Sequence, residues 1–170
     1  MKAVAIRGAT EADLDRVAEI RTRSWQAAYR GILDDATLDG LDAADEAARW
    51  RGFWPDFPRN GSTLLVATVA RSIAGYALVR DRCRDESPGD DVGELIAIYL
   101  DPDAWGGGAG QVLFDAATSA LQRAGCRAAV LWTFSANDRA RRFYERNGWA
   151  PDGAEDTWAG QPELRYRIDW

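Results

Sequence analysis

Histidine is absent from this sequence of 170 residues. A chain without histidine cannot form a Ser-His-Asp or Cys-His catalytic group, and it cannot bind a metal through imidazole. Cysteine is also scarce, because Cys83 and Cys126 are the only two, which is too few for a zinc site made of thiolates. We therefore expect no metal cofactor, and any general base has to be a carboxylate, a tyrosinate, a cysteine or a chain of water molecules.

Long apolar runs are missing as well. No stretch approaches the roughly 18 apolar residues that a membrane helix needs, and the opening MKAVAIRGATEADLDRV has no extended apolar segment of the kind found in signal peptides. We therefore expect a cytoplasmic protein that has no membrane partner. The net charge of −6 disfavours nucleic acid as a partner, since nucleic-acid binders usually present a basic face.

The apolar periodicity predicts a single mixed α/β domain over residues 1–170, without an internal repeat or a linker. Helices are expected after residues 10–13, which resemble a capping box, and then at residues 43–51, 111–124 and 137–146. Strands are expected at residues 4–7, 63–70, 73–80, 94–100, 128–134 and 163–169. The predicted order of elements is β-α-α-β-β-β-α-β-α-β.

A glycine-rich segment, DPDAWGGGAGQVLF at residues 101–114, joins a predicted strand to a predicted helix. Backbone N–H groups at such a junction favour an anion, and glycine lets the backbone come close to it. A Walker A loop is excluded because no lysine lies nearby, and a dinucleotide-binding Gly-x-Gly-x-x-Gly/Ala motif fails because its last position falls on Gln111 or Leu113. Taken alone, the segment is either a phosphate-binding loop or a flexible turn that allows close packing.

A second segment, NDRARRFYERNGW at residues 137–149, follows the next predicted strand. Asn137, Ala140 and Tyr144 share one face of the predicted helix, and this places the Tyr144 hydroxyl towards the mouth of the sheet. Taken alone, the pattern is also typical of a helix that begins with a capping asparagine and carries an amphipathic tyrosine.

Together and in this order, the two segments resemble the GNAT superfamily of acetyl-CoA-dependent N-acetyltransferases. The family loop reads Gln/Arg-x-x-Gly-x-Gly/Ala and corresponds to residues 105–110. The later family motif, Asn-x-x-Ala-x-x-Phe-Tyr-x-x-x-Gly-Phe/Trp, is matched at every specified position of residues 137–149. The stretches IRGATEADLDRVAEI and SWQAAYRGIL also resemble the N-terminal region of many bacterial members. The resemblance covers the whole chain and implies a GNAT fold, in which helices flank a central, mostly antiparallel sheet.

Two positions of the loop depart from the family pattern. Trp105 stands where the family has glutamine or arginine, and Gly107 stands where arginine or lysine is frequent. Backbone N–H groups do most of the binding in such loops, so pyrophosphate binding is expected to survive while the side-chain contribution is reduced. We expect Trp105 to pack under the loop, with Arg139, Arg141 or Arg142 supplying charge near the phosphates.

The resemblance implies that an amine attacks the thioester of acetyl-CoA directly. The pantetheine arm is then expected along a strand backbone at Ile98, Tyr99 and Leu100, with a backbone N–H near Ile98 polarising the acetyl carbonyl. Asn137 and Tyr144 are expected as further contacts to the cofactor. The pyrophosphate is expected at Gly106, Gly107, Gly108, Ala109, Gly110 and Gln111.

Two proton-transfer roles follow from the same resemblance. Tyr144 corresponds to the general acid of the family, since a phenol with a pKa of about 10 can donate a proton to the departing thiolate. Glu94 lies 11 residues before Trp105, the spacing at which a glutamate of the histone-acetylating branch acts as base, usually through water. Alternatively, Glu94 is a surface residue at the start of a strand. Water alone would then serve as the base.

The amine acceptor, a small molecule or a peptide, is expected between the first two helices and the neighbouring loops, where Trp25, Tyr29 and Trp54 are available. An aromatic pocket suits an aromatic amine or a cation, and the acidic segment at residues 81–91 either attracts a cationic acceptor or is simply solvated. Three alternatives stay open: a non-catalytic acyl-CoA-binding sensor, a transferase for a longer acyl-CoA and, with the poorest fit, a nucleotide-binding domain. A homodimer is compatible with the resemblance, because dimers are common in the family.

Overall fold

Seven strands form one sheet in the computed structural model, which describes residues 3–85 and 88–170. Their spatial order is β1-β2-β3-β4-β5-β7-β6, and neighbouring strands are antiparallel except for β4 and β5, which are parallel. This is the predicted mixed α/β fold with a mostly antiparallel sheet. The strands are β1 (Val4–Gly8), β2 (Ser62–Val69), β3 (Ser72–Arg80), β4 (Val92–Leu100), β5 (Ala128–Phe134), β6 (Ala150–Trp158) and β7 (Gln161–Asp169).

Helices cover both faces of this sheet. They are α1 (Leu14–Ala28), α2 (Asp35–Asp39), α3 (Ala43–Phe53), α4 (Ala109–Arg123) and α5 (Asp138–Arg146). Successive residues of a strand point to opposite faces. Val66 and Tyr76 pack in a core cluster with α1 and α3, whereas their neighbours Ala67 and Ala77 pack in a second cluster with α4 and α5. Within the described ranges, no helix is both long enough and apolar enough to cross a membrane.

A charged pair holds the start of α1. Arg7 donates two hydrogen bonds to the Asp13 carboxylate, with Nη1–Oδ2 and Nη2–Oδ1 distances of 2.6 and 2.8 Å. The backbone N–H of Thr10 also donates to Asp13 Oδ2 at 2.8 Å, which is a bond of the predicted capping box. The hydrogen bonds from Arg7, followed by those from Thr10, hold the pKa of Asp13 well below its usual range. The helix that reaches the candidate site therefore begins at a well-defined residue.

The structure adds two elements, the short helix α2 and the strand β6, to the predicted order. β6 has the sequence APDGAEDTW, and all but one of its residues are exposed. An edge strand that is solvated on both faces needs no hydrophobic alternation, so its sequence pattern indicates a loop. β6 nevertheless contributes to the candidate site, because it ends at Trp158, whose ring packs against Trp25 of α1 at 5.4 Å between ring centres.

Candidate functional site

The candidate site is a cavity at a fork between β4 and β5. These two strands pair only at their beginnings, over Val92–Ala128, Gly93–Ala129 and Glu94–Val130. Beyond this point, a cavity of about 400 Å³ lies between the strands, the first turn of α4 and one side of α5. It is lined by the predicted residues Tyr29, Ile98, Tyr99, Leu100, Gly106, Gly108, Gly110, Gln111, Asn137 and Tyr144.

The fork leaves backbone groups of β4 available on one side. Directly after the end of β4, the Asp101 N–H donates to the carbonyl of Ala74 in β3, at 2.8 Å. Along an antiparallel pair, the backbone N–H and C=O groups of successive residues point alternately towards and away from the partner strand. The backbone groups of Tyr99 therefore face β3, whereas those of Ile98 and Leu100 face the fork. The described part of β5 provides no pairing partner for Ile98. An extended ligand placed in the fork can therefore bond to β4 as an additional strand would.

The glycine-rich loop exposes a row of N–H groups at the start of α4. Gly106 and Gly108 have φ angles of +78° and +83°, in the left-handed region that favours glycine. The first loop-to-helix bonds are those that the N–H groups of Gln111 and Val112 donate to the Gly108 carbonyl. The N–H groups of residues 106–110 have no hydrogen-bond acceptor within the described chain. Such a row, at the positive end of a helix dipole, is suited to an anion such as a pyrophosphate.

The structure gives a definite position to Trp105. Its indole Nε1 donates to the carbonyl of Leu100 at 3.2 Å. The guanidinium carbon of Arg139 lies 4.0 Å from the centre of the Trp105 ring, which is a close cation–π contact. Trp105 therefore connects the exit of β4, the loop and the start of α5.

Two arginines of α5 bring positive charge to the mouth of the cavity. Arg139 and Arg146 both line it, and neither makes an ion pair within the described chain. Arg141 is directed elsewhere, because its Nε and Nη1 donate to Tyr166 Oη and the Ser135 carbonyl at 3.1 and 3.0 Å. Arg142 does not line the cavity. Arg146 was not expected from the sequence, although it lies two turns from Arg139 on the same helical face.

Tyr144 and Asn137 lie together on the wall that α5 contributes. Asn137 Oδ1 accepts a hydrogen bond from the Ala140 N–H at 3.2 Å, so this side chain caps α5. Tyr144 is 9% exposed, and its ring packs against Phe114 and Tyr166. Burial, with a smaller effect of Tyr99, raises the pKa of Tyr144 well above its usual range. The Tyr144 side chain is therefore a protonated phenol that can donate a hydrogen bond.

Aromatic side chains cluster around Tyr29 on the α1 side, and Tyr29 is the member of this cluster that lines the cavity. Tyr29, directly after α1, donates or accepts a hydrogen bond with the Tyr99 hydroxyl at 3.0 Å. The Tyr29 ring contacts Trp25 and Phe134 at centre distances of 5.1 and 5.0 Å. Trp158 closes this group, since it contacts both Trp25 and Phe134. Trp158 could not be found from the sequence, because β6 lacks a strand pattern.

Of the three predicted acceptor residues, Tyr29 lines the cavity, Trp25 packs behind Tyr29 without lining it, and Trp54 lies elsewhere. It belongs to the single turn of 3₁₀ helix after α3, at Trp54–Asp56. Its ring packs against Phe57 at 5.5 Å, in the core cluster that contains Trp50. The structure thus places Trp54 in the packing of α3, outside the cavity lining.

Glu94 lies at the closed end of the fork. It is 1% exposed and does not line the cavity. Its carboxylate accepts a 2.9 Å ion-pair contact from Arg84 Nε and a 3.3 Å hydrogen bond from the Arg84 backbone N–H. Burial raises the pKa of Glu94, and the positive charge of Arg84 opposes this effect. Glu86, another acidic residue of the 81–91 segment, lies outside the described residues.

Asp101 ties α1 to the exit of β4. Its Oδ2 accepts hydrogen bonds from Arg16 Nη2 and Arg23 Nη1 at 2.7 and 2.9 Å, and its Oδ1 accepts the Asp103 N–H at 3.0 Å. The carboxylate is almost fully buried. These bonds fix the point from which the glycine-rich loop departs. The Asp-Pro pair at this position signals a turn, but its arginine partners are distant in sequence.

The comparisons with known proteins agree with this geometry. A family model described as the acetyltransferase (GNAT) family matches residues 15–149. The chain therefore belongs to the GNAT acetyltransferase family.

Individual relatives are more distant. A probable N-acetyltransferase of Mycobacterium tuberculosis is 24% identical over 170 aligned residues, which cover 97% of this chain and 93% of the relative. A mycothiol acetyltransferase of Propionibacterium freudenreichii is 34% identical over 155 residues, which cover 91% of this chain and 46% of the relative. A mycothiol acetyltransferase of Geodermatophilus obscurus is 36% identical over 74 residues, or 44% of this chain and 24% of the relative. The chain thus spans between a quarter and a half of the length of these mycothiol acetyltransferases.

Solved structures share the fold. PaiA N-acetyltransferase from Thermoplasma acidophilum, crystallised in complex with coenzyme A, superposes with a TM-score of 0.80 at 18% identity and 99% coverage of both chains. YncA from Salmonella typhimurium, a putative acetyltransferase solved with acetyl-CoA, gives a TM-score of 0.71 at 23% identity, covering 98% of this chain and 94% of that one.

Proposed function

We propose that this protein is an acetyl-CoA-dependent N-acetyltransferase that moves an acetyl group to a primary amine of a small molecule or peptide. The observation that carries the proposal is the fork between β4 and β5. It combines an open strand backbone, a row of free N–H groups and a buried phenol around one cavity. A protein that binds a thioester at the end of a phosphate-bearing arm needs these three parts.

The features of the cavity suit the successive parts of acetyl-CoA. The N–H row of residues 106–110 and the helix dipole of α4 favour the pyrophosphate. Arg139 and Arg146 add positive charge at the mouth, in a chain whose net charge is negative. The free backbone N–H and C=O groups of Ile98 can bond to the amides of the pantetheine arm. An arm bound in this way places the thioester near Tyr144.

The reaction then needs one bond made and one broken. The amine nitrogen attacks the acetyl carbon, and a backbone N–H near Ile98 stabilises the negative oxygen of the tetrahedral intermediate. The carbon–sulfur bond breaks, and the Tyr144 hydroxyl donates its proton to the departing thiolate. The attacking nitrogen loses a proton to the base, so that the products are the amide and coenzyme A.

Glu94 is proposed as the base, acting through water. Its carboxylate is closed off by Arg84, so a direct contact with the amine requires a change in that ion pair. A water chain from the cavity avoids this requirement. Burial supports the role because a carboxyl with a raised pKa accepts a proton more readily at neutral pH.

The aromatic cluster behind Tyr29 makes the α1 side of the site apolar, which favours an amine with an apolar body. Tyr29, Trp25, Phe134 and Trp158 contact one another at centre distances from 5.0 to 5.9 Å. A ring or alkyl chain placed against Tyr29 loses contact with water at little cost. The cytoplasmic location and the homodimer stay predictions from the sequence.

The test is a panel of amines assayed with acetyl-CoA by release of free thiol. The panel contains phenylethylamine, spermidine and a short peptide with a free N-terminus, and butanoyl-CoA replaces acetyl-CoA in a parallel series. Calorimetric titrations with coenzyme A, NAD and ATP accompany it. We expect thiol release that depends on both substrates, and binding of coenzyme A alone among the three ligands. Binding of coenzyme A without turnover of any amine would favour the sensor alternative, and binding of ATP alone would overturn the proposal.

A further inference from the structure

The hydrogen bond between Tyr29 and Tyr99 joins the two halves of the site. Tyr29 follows α1 on the acceptor side, and Tyr99 belongs to β4, whose backbone is proposed to hold the acyl arm. Both residues line the cavity. The side chain of Tyr99 packs in the clusters on the α1 face, whereas Ile98 packs on the opposite face. The hydroxyl pair thus lies on the face from which an amine approaches the thioester.

The two hydroxyls have unused hydrogen-bonding capacity. A pair of phenols contains two O–H hydrogens, and their mutual bond uses one of them, so one hydrogen and several lone pairs remain. Within the described chain, neither hydroxyl has a second partner at hydrogen-bonding distance and angle, although the Trp25 indole N–H lies near enough to lower the pKa of Tyr99 somewhat. Burial raises the pKa of Tyr29 and of Tyr99, so both stay protonated at working pH. The pair can orient a polar group without taking its proton.

A third polar group, the indole N–H of Trp25, lies beside this pair. The indole N–H of Trp25 is buried without a hydrogen-bond partner among the described residues, and Trp25 as a whole is 8% exposed. Its ring lies 5.1 Å from the Tyr29 ring and 6.4 Å from the Tyr99 ring. A buried polar group without a partner costs free energy. Among the buried groups without a partner in the described residues, the Trp25 N–H is the one whose ring contacts both tyrosines of the pair, so a polar atom of a ligand placed there can complete its hydrogen bonding.

We propose that the Tyr29–Tyr99 hydroxyl pair positions the attacking amine, an inference that rests on the proposed function. A hydroxyl oxygen accepts an N–H of the amine, and the remaining O–H donates to a polar atom of the acceptor. The nitrogen lone pair is then free to point at the acetyl carbon. The apolar surroundings of the pair favour a primary amine on an apolar body, and the pair acts as a positioning device that moves no proton.

The test compares three tyrosine-to-phenylalanine variants. Tyr29→Phe and Tyr99→Phe each remove one hydroxyl of the pair. Tyr76→Phe is the matched control, because Tyr76 is fully buried, lies 5.7 Å from the Tyr99 ring and has a hydroxyl without a partner in the described chain. Steady-state kinetics use the most active amine of the panel, with coenzyme A binding and thermal unfolding measured on every variant.

We expect Tyr29→Phe and Tyr99→Phe each to raise the KM for the amine about 5- to 10-fold, the effect of losing one hydrogen bond. Both should leave the KM for acetyl-CoA and the pKa values of the pH–rate profile unchanged. The double variant should lose little more than either single variant, since both break the same pair. Tyr76→Phe should match the wild type.

Two results would overturn the inference. A lower melting temperature with an unchanged KM for the amine would show that the pair is only a structural link. A shift in the pH–rate profile would show that it transfers protons. If the wild-type protein turns over no amine, the proposed function is wrong, and this inference is wrong with it. If the wild type is active and the variants have the same kinetics, only the inference is wrong.

Discussion

The contact between Arg139 and Trp105 leads to a prediction about coenzyme A affinity. Arg139 lines the mouth of the cavity and stacks on Trp105 at 4.0 Å, without an ion pair in the described chain. In the proposed complex, this guanidinium binds a phosphate of coenzyme A and supplies charge that the loop itself lacks. Arg139→Gln removes the charge, and Trp105→Leu removes the surface that holds it in place.

The expected magnitude follows from the exposure of the site. A hydrogen bond to a charged group contributes about 1.5–3 kcal/mol when it is protected, and less when it is solvated, so about 1–2 kcal/mol is reasonable for the exposed Arg139 side chain. This corresponds to a dissociation constant for coenzyme A that is about 5- to 30-fold higher in Arg139→Gln. An exposed cation–π contact contributes about 0.5–1 kcal/mol, so Trp105→Leu should weaken binding about 2- to 5-fold.

The assay is calorimetric titration with coenzyme A at low and high salt. Arg142→Gln is the matched control, because it removes the same charge from the same helix outside the cavity lining. The loss in Arg139→Gln should shrink at high salt, and Trp105→Leu should have less effect in the Arg139→Gln background because it acts through Arg139. Equal losses in Arg139→Gln and Arg142→Gln would refute the reasoning, since a general field effect would then account for both.

Three further predictions concern proton transfer and folding. Tyr144→Phe should lower kcat 10-fold or more, with little change in coenzyme A binding measured by titration, given the usual 10²–10⁴-fold contribution of general acid–base groups; an unchanged kcat removes Tyr144 from its role. Glu94→Gln should abolish the limb of the pH–rate profile that rises with pH as the base ionises, and a retained limb points to another base or to water alone. Asp13→Asn should lower the free energy of unfolding at pH 7 by about 1–2 kcal/mol, allowing for the partial exposure of Arg7. The pKa of Asp13 is lower in the folded than in the unfolded protein, so its contribution to stability is present above about pH 4 and disappears as the pH falls further. In urea titrations, the free energies of unfolding of the wild type and Asp13→Asn should therefore converge as the pH falls towards about 2. A difference that stays constant with pH contradicts this account.

Local patterns were sufficient for most of the fold. β5 has the predicted bounds, and α4 and α5 begin within two residues of the predicted positions. Each of these elements buries one face or both, and burial imposes a period on the sequence. β6 escaped prediction because it is exposed on both faces, and Trp158 was missed along with it.

The sequence by itself determined the family and the parts of the site that lie within one segment. The glycine-rich loop needs left-handed backbone at Gly106 and Gly108, and the face shared by Asn137 and Tyr144 follows from helical geometry. Only the tertiary structure decided which distant residues meet. It joins Tyr29 to Tyr99 and Trp105 to Arg139, closes Glu94 behind Arg84, and places Trp54 in a different core cluster. The physical reason is that dihedral preferences and periodicity act between near neighbours, whereas these contacts depend on how the helices and the sheet pack together.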